Sequence, residues 1–227
     1  MKFIHESLTE GTGTGALSNC LTTALKEHGR VLWLVCGGSS IATAVRVMDA
    51  LPEALTSKLH IMLTDERYGT IGHPDSNFLQ LQEAGFNQKS ATFIPILQPD
   101  MSLVATATAY AKLYAIESTA AGFIIAQFGI GADGHIAGIL PGSPAANSDT
   151  LSIGYETEQY KRITLTFSAL RRIDKAYAFA YGITKQPALL QLKDKIVPLQ
   201  EQPSQILRQI PEAYVYNDCI AQGRTTT

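Results

Sequence analysis

Gly122-Phe-Ile-Ile-Ala-Gln-Phe128 is a short apolar run that leads directly into Gly129-Ile-Gly-Ala-Asp-Gly-His135. The apolar, β-branched character of the run predicts a buried strand. The glycines that follow predict a turn, and Pro141-Gly142 ends the segment before a long helix can begin. Open α/β sheets bind small molecules in loops at the carboxyl ends of their strands. Because histidine accepts protons near neutral pH, we predict that residues 129–143 form a catalytic loop.

Strand-like runs alternate with helix-like segments along most of the chain. The predicted strands are 31–36, 59–64, 92–95, 123–128, 162–167, 175–182 and 213–216, and the predicted helices are Ser39 or Ser40 to Leu51, 76–85, 102–120 and 184–192. This alternation predicts an α/β fold with a doubly wound, largely parallel sheet and helices on both faces. No repeat or low-complexity linker interrupts it, so we expect a single domain over residues 1–227, with a frayed tail at 222–227.

The composition limits the class of protein. A hydrophobic content of 45% and a charged content of 17% over 227 residues are typical of a globular protein and exclude wholesale disorder. A net charge of −2 gives no electrostatic reason to expect a nucleic-acid partner. No segment approaches the about 18 uninterrupted apolar residues that a membrane helix needs. Cys20, Cys36 and Cys219 lack CxxC spacing, which favours free thiols in a reducing compartment, and we expect a cytoplasmic protein.

Three further loops carry residues that suit ligand binding. Gly37-Gly38-Ser39-Ser40 follows the first clear strand and leads into a helix, which is a good phosphate cradle, although such turns often serve only to begin a helix. Asp65-Glu66-Arg67 follows the second clear strand, where Asp65 can face a cleft; the alternative is a solvated surface turn with a weak local ion pair. Arg162 and Lys185 flank later strands and are either phosphate-binding cations or ordinary surface charges.

Cofactor and metal sites find little support in the sequence. Residues 129–134 fit the G-x-G-x-x-G pattern of dinucleotide sites, but that pattern needs a long helix at its last glycine, and Pro141 follows too soon. The five histidines form no cluster with metal-ligand spacing. We therefore expect neither a cofactor nor a metal.

The ordered set of motifs resembles the 6-phosphogluconolactonase family. The matching residues are Gly-Gly-Ser (37–39), Asp-Glu-Arg (65–67) with Asp75-Ser-Asn77, Gly-x-Gly-x-Asp-Gly-His (129–135) with Leu-Pro-Gly (140–142), Arg-Ile-Thr-Leu-Thr (162–166) and Gly-x-x-Lys (182–185). The resemblance spans roughly residues 30–190, and the block at 129–135 is its most specific part. It implies the fold that this family shares with glucosamine-6-phosphate deaminases.

The resemblance also implies an activity, the hydrolysis of 6-phospho-D-glucono-1,5-lactone to 6-phosphogluconate in the oxidative pentose phosphate pathway. His135 would act as general base on water, with either Asp65 or Asp133 orienting it and Arg67 stabilising the oxyanion. The residues implied for the substrate phosphate are Gly37, Gly38, Ser39, Ser40, Arg162 and Lys185. The expected partner is this sugar-phosphate lactone, and the expected assembly is a monomer or weak homodimer.

Two alternatives use the same fold. Deaminases that resemble this chain carry a glutamate directly before the Pro-Gly of the loop as part of their acid–base machinery, whereas this chain has Leu140. A non-catalytic sugar-phosphate sensor is the other alternative, and retention of Asp65, Arg67 and His135 argues against it. The chain departs from the usual lactonase pattern at Ser40-Ile41, where Thr-Pro is common, and at Gly138-Ile139, where Ser-Leu or Ser-Ile is common.

Overall fold

Val31–Val35 (β2) is a strand in which no residue retains any exposed surface. Five consecutive buried apolar residues fit a strand that is covered on both faces, as in the centre of a parallel sheet. The computed structural model, which describes residues 1–220, places β2 in that position. The expected frayed tail at 222–227 lies outside the described residues.

Nine further strands and six α-helices are present in residues 1–220. The strands are Lys2–His5 (β1), Leu59–Leu63 (β3), Asp65–Arg67 (β4), Thr92–Ile94 (β5), Phe123–Gly129 (β6), Ser152–Glu156 (β7), Lys161–Leu165 (β8), Lys175–Ala180 (β9) and Glu212–Asn217 (β10). The helices are Thr12–Glu27 (α1), Ile41–Ala50 (α2), Asn77–Glu83 (α3), Leu103–Ala120 (α4), Phe167–Leu170 (α5) and Gln186–Asp194 (α6). None of these helices is long and apolar enough to cross a membrane.

The main sheet has seven parallel strands in the order β1-β10-β9-β6-β2-β3-β5. From β2 the chain builds outward through β3 to β5, and from β6 it builds in the opposite direction through β9 and β10. The carboxyl ends of β2 and β6 therefore border the crevice where such sheets bind ligands. The prediction of a doubly wound, largely parallel α/β fold is confirmed, and β5 lies at an edge as its proline suggested.

A second sheet, which the sequence did not predict, corrects two assignments. Asp65–Arg67 was expected to be a loop but forms β4, which pairs antiparallel with β8, and β8 pairs with β7. The strand expected at 162–167 thus belongs to this small sheet. Local periodicity could not reveal this, because a three-residue strand has no period of its own and its partner lies far along the chain.

Other corrections concern the ends of the fold. The segment at 213–216 was expected to close the sheet, but β10 lies inside it and the unpredicted β1 forms the edge. The sixteen-residue helix α1 was also missed. The expected serine cap before α2 is absent, since the chain enters this helix through a 3-10 turn, Gly38–Ser40, without a side-chain cap bond.

Helix α4 connects the two sheets through two buried tyrosines one turn apart. The hydroxyl of Tyr110 donates to the carbonyl oxygen of Leu63 at 2.5 Å, at the end of β3. The hydroxyl of Tyr114 donates to the carbonyl oxygen of Ala169 at 2.8 Å, in the short helix that follows β8. These bonds fix the main sheet and the small sheet against one helix.

Replacing Tyr114 by phenylalanine leaves the carbonyl of Ala169 without this donor. We expect Tyr114→Phe to lower the free energy of unfolding by about 1–2 kcal/mol, measured by urea denaturation. The control is Tyr214→Phe, which removes an exposed hydroxyl that bonds to Glu212 and should change stability by less than about 0.5 kcal/mol. Equal stability of Tyr114→Phe and the wild type would contradict this account of α4.

Candidate active site

The loop after β2 brings backbone close to a ligand cleft. Gly38 has φ 66°, a conformation that favours glycine, and begins the 3-10 turn that leads into α2. A Cβ atom on Gly37 would lie 2.1 Å from Oδ1 of Asn77, so only glycine permits this contact. Gly37, Gly38 and Ser39 all line the cleft.

Ser40 does not reach the cleft. It is 1% exposed, and its carbonyl oxygen accepts a hydrogen bond at 2.7 Å from Nε2 of Gln127 in β6. The residue ties the cradle to the neighbouring strand instead. The sequence led us to expect Ser40 at the cleft beside Ser39, and the structure corrects this placement. The 3-10 turn directs Ser39 outward and Ser40 inward, so Ser40 is not among the cleft-lining residues.

The loop after β6 holds a hydrogen-bonded Asp–His pair. Nδ1 of His135 lies 2.6 Å from Oδ1 of Asp133, and the backbone N–H of His135 donates to the same oxygen at 3.1 Å. The turn is closed by the N–H of Gly131, which donates to the carbonyl of His135, and by that of Gly134, which donates to the carbonyl of Gly131. Between the two aspartates that the sequence left open, Asp133 is the one in contact with His135.

The environment of this pair lowers the pKa of Asp133. Burial acts to raise that pKa, but the hydrogen bonds from the side chain and backbone of His135 outweigh burial and keep the carboxylate ionised. Gly131 makes the geometry possible, because a Cβ atom there would lie 2.1 Å from Nδ1 of His135 and 2.5 Å from Oδ1 of Asp133. Asp133 itself contacts His135 from outside the main cleft.

The small sheet supplies a carboxylate and two cations. In the antiparallel pairing of β4 and β8, Asp65 lies opposite Thr164 and Arg67 lies opposite Arg162. Side chains alternate along a strand, so Asp65 and Arg67 share one face, with Arg162 beside them. Oδ2 of Asp65 lies 3.9 Å from the Arg162 guanidinium. Asp65 therefore pairs with a cation rather than with His135.

Both arginines keep donor capacity for a ligand. The guanidinium of Arg67 donates to the carbonyl of Asp75 at 3.0 Å, which anchors one nitrogen. The Nε–H groups of Arg67 and Arg162 are buried, and neither has a hydrogen-bond partner within residues 1–220. Both arginines line the cleft, so the N–H groups of the guanidinium ends are the donors that an anion in the cleft can reach.

Glu66 and Asn77 are two residues whose roles the sequence reasoning missed. Glu66 is 1% exposed and accepts hydrogen bonds from the N–H groups of Arg67, Asn77 and Phe78 and from the hydroxyl of Ser76. Burial raises its pKa, against the effect of these four donors. Glu66 is thus not part of a solvated turn.

Asn77 extends this buried network to the cleft wall. Its amide Nδ2 donates to the carbonyl of Asp65 at 2.9 Å, and Asn77 itself lines the cleft. The signals in the sequence were the family motif Asp75-Ser-Asn77 and the position of Asn77 beside Ser76, the residue that caps α3.

Lys185 approaches from the end of β9. Gly182, with φ 99°, turns the chain into a short 3-10 segment, Ile183–Lys185, that precedes α6. Lys185 is half-buried at the cleft, and burial lowers its pKa below the ordinary value of 10.5. Part of its hydration is therefore already lost before a ligand binds.

These elements enclose a cleft of about 270 Å³. The sequence-predicted residues that line it are Gly37, Gly38, Ser39, Asp65, Arg67, His135, Arg162 and Lys185. Ala137, another lining residue, has φ 51°, a conformation that non-glycine residues rarely adopt and that is often found at functional sites. With three cations and one carboxylate on its walls, the cleft suits an anionic ligand. Within residues 1–220 no three metal-ligating side chains come together.

A family model described as "Glucosamine-6-phosphate isomerases/6-phosphogluconolactonase" matches residues 9–217. The chain belongs to this family. The 6-phosphogluconolactonase of Caulobacter vibrioides is 29% identical over 189 residues, which cover 76% of this chain and 78% of that protein. The family resemblance inferred from the motifs is confirmed.

Solved structures with the same fold include members of both branches of the family. A 6-phosphogluconolactonase from Shewanella baltica superposes with a TM-score of 0.78 at 20% identity, over 96% of this chain and 97% of that chain. A monomeric glucosamine-6-phosphate deaminase superposes with a TM-score of 0.77 at 18% identity, over 96% and 97% of the two chains. At these identities the superpositions show the fold, so the choice between the two chemistries depends on the site.

A methyl group at position 131 tests the Asp–His pair. We expect Gly131→Ala to separate the two side chains and, because their hydrogen bonds lower the pKa of Asp133, to raise that pKa toward its ordinary value of 3.8. The measurement is a carboxyl-carbon NMR titration of Asp133. Gly15→Ala is the matched control, since nothing lies within 4 Å of a Cβ there. An unchanged titration in Gly131→Ala would contradict the pairing.

The lowered pKa of Lys185 predicts a pH limit for anion binding. A lysine with a lowered pKa loses its charge at a lower pH than an exposed lysine, so the stabilisation by inorganic phosphate should fall as pH rises toward 10.5. In Lys185→Arg the stabilisation by phosphate should persist to higher pH, because arginine stays protonated. The measurement is the rise in Tm with phosphate between pH 7 and 10.5. Lys26→Arg, on the exposed surface of α1, should follow the wild type, and identical profiles for all three proteins would refute the assignment.

Proposed function

We propose that this chain hydrolyses 6-phospho-D-glucono-1,5-lactone to 6-phospho-D-gluconate, the lactonase step of the oxidative pentose phosphate pathway. The observation that carries the proposal is a histidine, held by Asp133, that faces a cleft lined by three cations. The curated relatives that match most of the chain, including those of Caulobacter vibrioides and Synechocystis, are named 6-phosphogluconolactonase. A reactive lactone needs an activated water and charge stabilisation, and no covalent nucleophile.

His135 is the general base in this proposal, and the pairing selects which of its nitrogens acts. With Nδ1 donating to the ionised Asp133 at 2.6 Å, neutral His135 carries its proton on Nδ1 and leaves Nε2 as the acceptor. Nε2 takes a proton from water as the water oxygen attacks the lactone carbonyl carbon. The tetrahedral intermediate then collapses, the ring C–O bond breaks, and the imidazolium returns the proton to the departing ring oxygen. Asp133 stabilises the imidazolium between these steps.

The cations divide between the two ends of the substrate. The amides of Gly37 and Gly38, the hydroxyl of Ser39, Lys185 and Arg162 bind the 6-phosphate, and Ser40 is left out because it is buried. Arg67 stabilises the negative charge that develops on the carbonyl oxygen. Asp65 keeps the guanidinium of Arg162 in place through their 3.9 Å ion pair.

The residue before Pro141 favours the lactonase over the deaminase. Leu140 lines a second cavity that shares His135 and Arg162 with the main cleft. An apolar side chain next to the catalytic histidine cannot supply the acid–base function that the glutamate performs in deaminases of this fold. A water molecule and the lactone need no such group.

The state of the cysteines bears on the cellular location of the protein. Cys20, Cys36 and Cys219 are all free, which suits the reducing cytoplasm that we propose as its location. A monomer or weak homodimer stays a prediction. The proposed partner is the small sugar-phosphate lactone.

Removing the imidazole tests the reaction and its base together. We expect His135→Ala to lower kcat by about 10²–10⁴-fold, because proton transfer from water is lost. Hydrolysis releases a proton once the acid ionises, so a stopped-flow assay with a pH indicator and freshly generated lactone follows it above the spontaneous background.

The control is His28→Ala, whose ring stacks on Phe123 at the amino end of β6 and should keep wild-type kcat. Near-normal kcat in His135→Ala would exclude His135 as the base. If the folded wild-type protein fails to accelerate lactone opening, the lactonase proposal is wrong, and deamination of glucosamine 6-phosphate and sugar-phosphate binding become the next assays.

A further inference from the structure

Arg67 and Arg162 form an unfavourable pair in the small sheet. They lie directly opposite each other in the register of β4 and β8, where like charges repel across the strands. The carboxylate of Asp65 is 3.9 Å from Arg162 and compensates one of the two charges. The second charge needs another source of stabilisation that leaves both guanidinium groups at the cleft.

Tyr160 supplies that stabilisation. Its ring centroid lies 5.2 Å from the guanidinium carbon of Arg67 and 5.3 Å from that of Arg162. A guanidinium within about 6 Å of an aromatic ring is attracted by the negative π face. One ring thus contacts both cations, and it uses none of their N–H donors.

The backbone around Tyr160 is fixed by the turn between β7 and β8. The N–H of Thr157 donates to the carbonyl of Tyr160 at 2.8 Å, and the N–H of Tyr160 donates to the hydroxyl of Thr157 at 3.0 Å. The same hydroxyl donates to the carbonyl of Tyr160 at 2.8 Å. Three hydrogen bonds within four residues fix the backbone from which the ring of Tyr160 projects.

We propose that Tyr160 is a positioning residue for the anion-binding wall of the cleft, holding the guanidinium groups of Arg67 and Arg162 together so that both act on one anionic substrate. Tyr160 is not among the residues that line the cleft, so it acts through the two arginines. Both arginines line the cleft, and contact with a π face leaves the N–H donors of their guanidinium groups for an anion there. The identity of the substrate rests on the proposed function, whereas the role of Tyr160 in anion binding does not.

Substitutions that remove either the whole ring or only the hydroxyl group of Tyr160 test this role. We expect Tyr160→Leu and Tyr160→Gln to lower kcat/KM for the lactone about five- to tenfold, because both cations lose their π contact. Tyr160→Phe keeps the ring and should stay within about twofold of the wild type. If Tyr160 served only to keep the turn folded, an aromatic side chain would not selectively restore kcat/KM.

The matched control is Tyr214→Leu. Tyr214 also lies between two cations, with the ammonium groups of Lys2 and Lys175 each 5.9 Å from its ring, but it is not at the cleft. This variant should keep the wild-type kcat/KM. Far-UV circular dichroism and Tm without ligand establish that each variant is folded. Two non-aromatic variants are made at position 160, so the test still stands if one of them fails to fold.

Inorganic phosphate provides a second readout that does not depend on activity. It should raise the Tm of the wild type, Tyr160→Phe and Tyr214→Leu alike, and raise that of Tyr160→Leu and Tyr160→Gln by clearly less. If the wild type binds phosphate in this pattern but does not open the lactone, the proposed function fails and the role of Tyr160 stands. Wild-type phosphate stabilisation and kcat/KM in folded Tyr160→Leu or Tyr160→Gln would overturn the proposal. Equal losses in Tyr160→Phe and Tyr160→Leu would also overturn it.

Discussion

The reversal of strand order between β2 and β6 is the constraint on which the site depends. The two strands lie side by side, but the chain continues from them toward opposite edges of the sheet. The connections from β2 and β6 lead away from the space above their carboxyl ends, and the Gly37 loop and the His135 loop both begin there. Because β2 is buried on both faces, the core fixes the point at which the Gly37 loop leaves the sheet.

The small sheet completes the cleft because it is attached rigidly to the same edge. Thr64 directly follows β3, and its backbone connects that strand to two others. Its N–H donates to the carbonyl of Val35 in β2, and its carbonyl accepts from the N–H of Leu165 in β8. Asp65 and Arg67 follow at once. The position of the arginines relative to His135 is therefore fixed by backbone hydrogen bonds, with α4 packed behind both sheets.

The site concentrates features that oppose stability. Two arginines face each other across strands, a lysine is half-buried, and Ala137 has a positive φ. Such unfavourable features persist when contacts with the surrounding structure maintain them, and they are common where they contribute to ligand binding. Here the buried Glu66 network, the Asp133–His135 pair and the ring of Tyr160 hold the groups in place. The anion site that we propose is therefore preorganised, which would reduce the reorganisation needed when a substrate binds.

Local patterns in the sequence predicted seven of the ten strands in residues 1–220, the parallel α/β class and eight residues that line the cleft. Apolar runs, glycine turns and charges at strand ends are recognisable within a few residues of sequence. Gly37, Arg67, His135 and Lys185 could therefore be predicted as candidate site residues. The edge strand β1 carried too few residues for such a signal.

Only the tertiary structure decided which of these residues meet. The pairing of β4 with β8 joins segments far apart in the chain, and it sends Asp65 to Arg162 and leaves Asp133 for His135. The tertiary structure also buried Ser40, brought Glu66 to the first N–H groups of α3 and placed Tyr160 against two guanidinium groups. Long-range register and close packing set these contacts, because their energies depend on distances between side chains that no local pattern records.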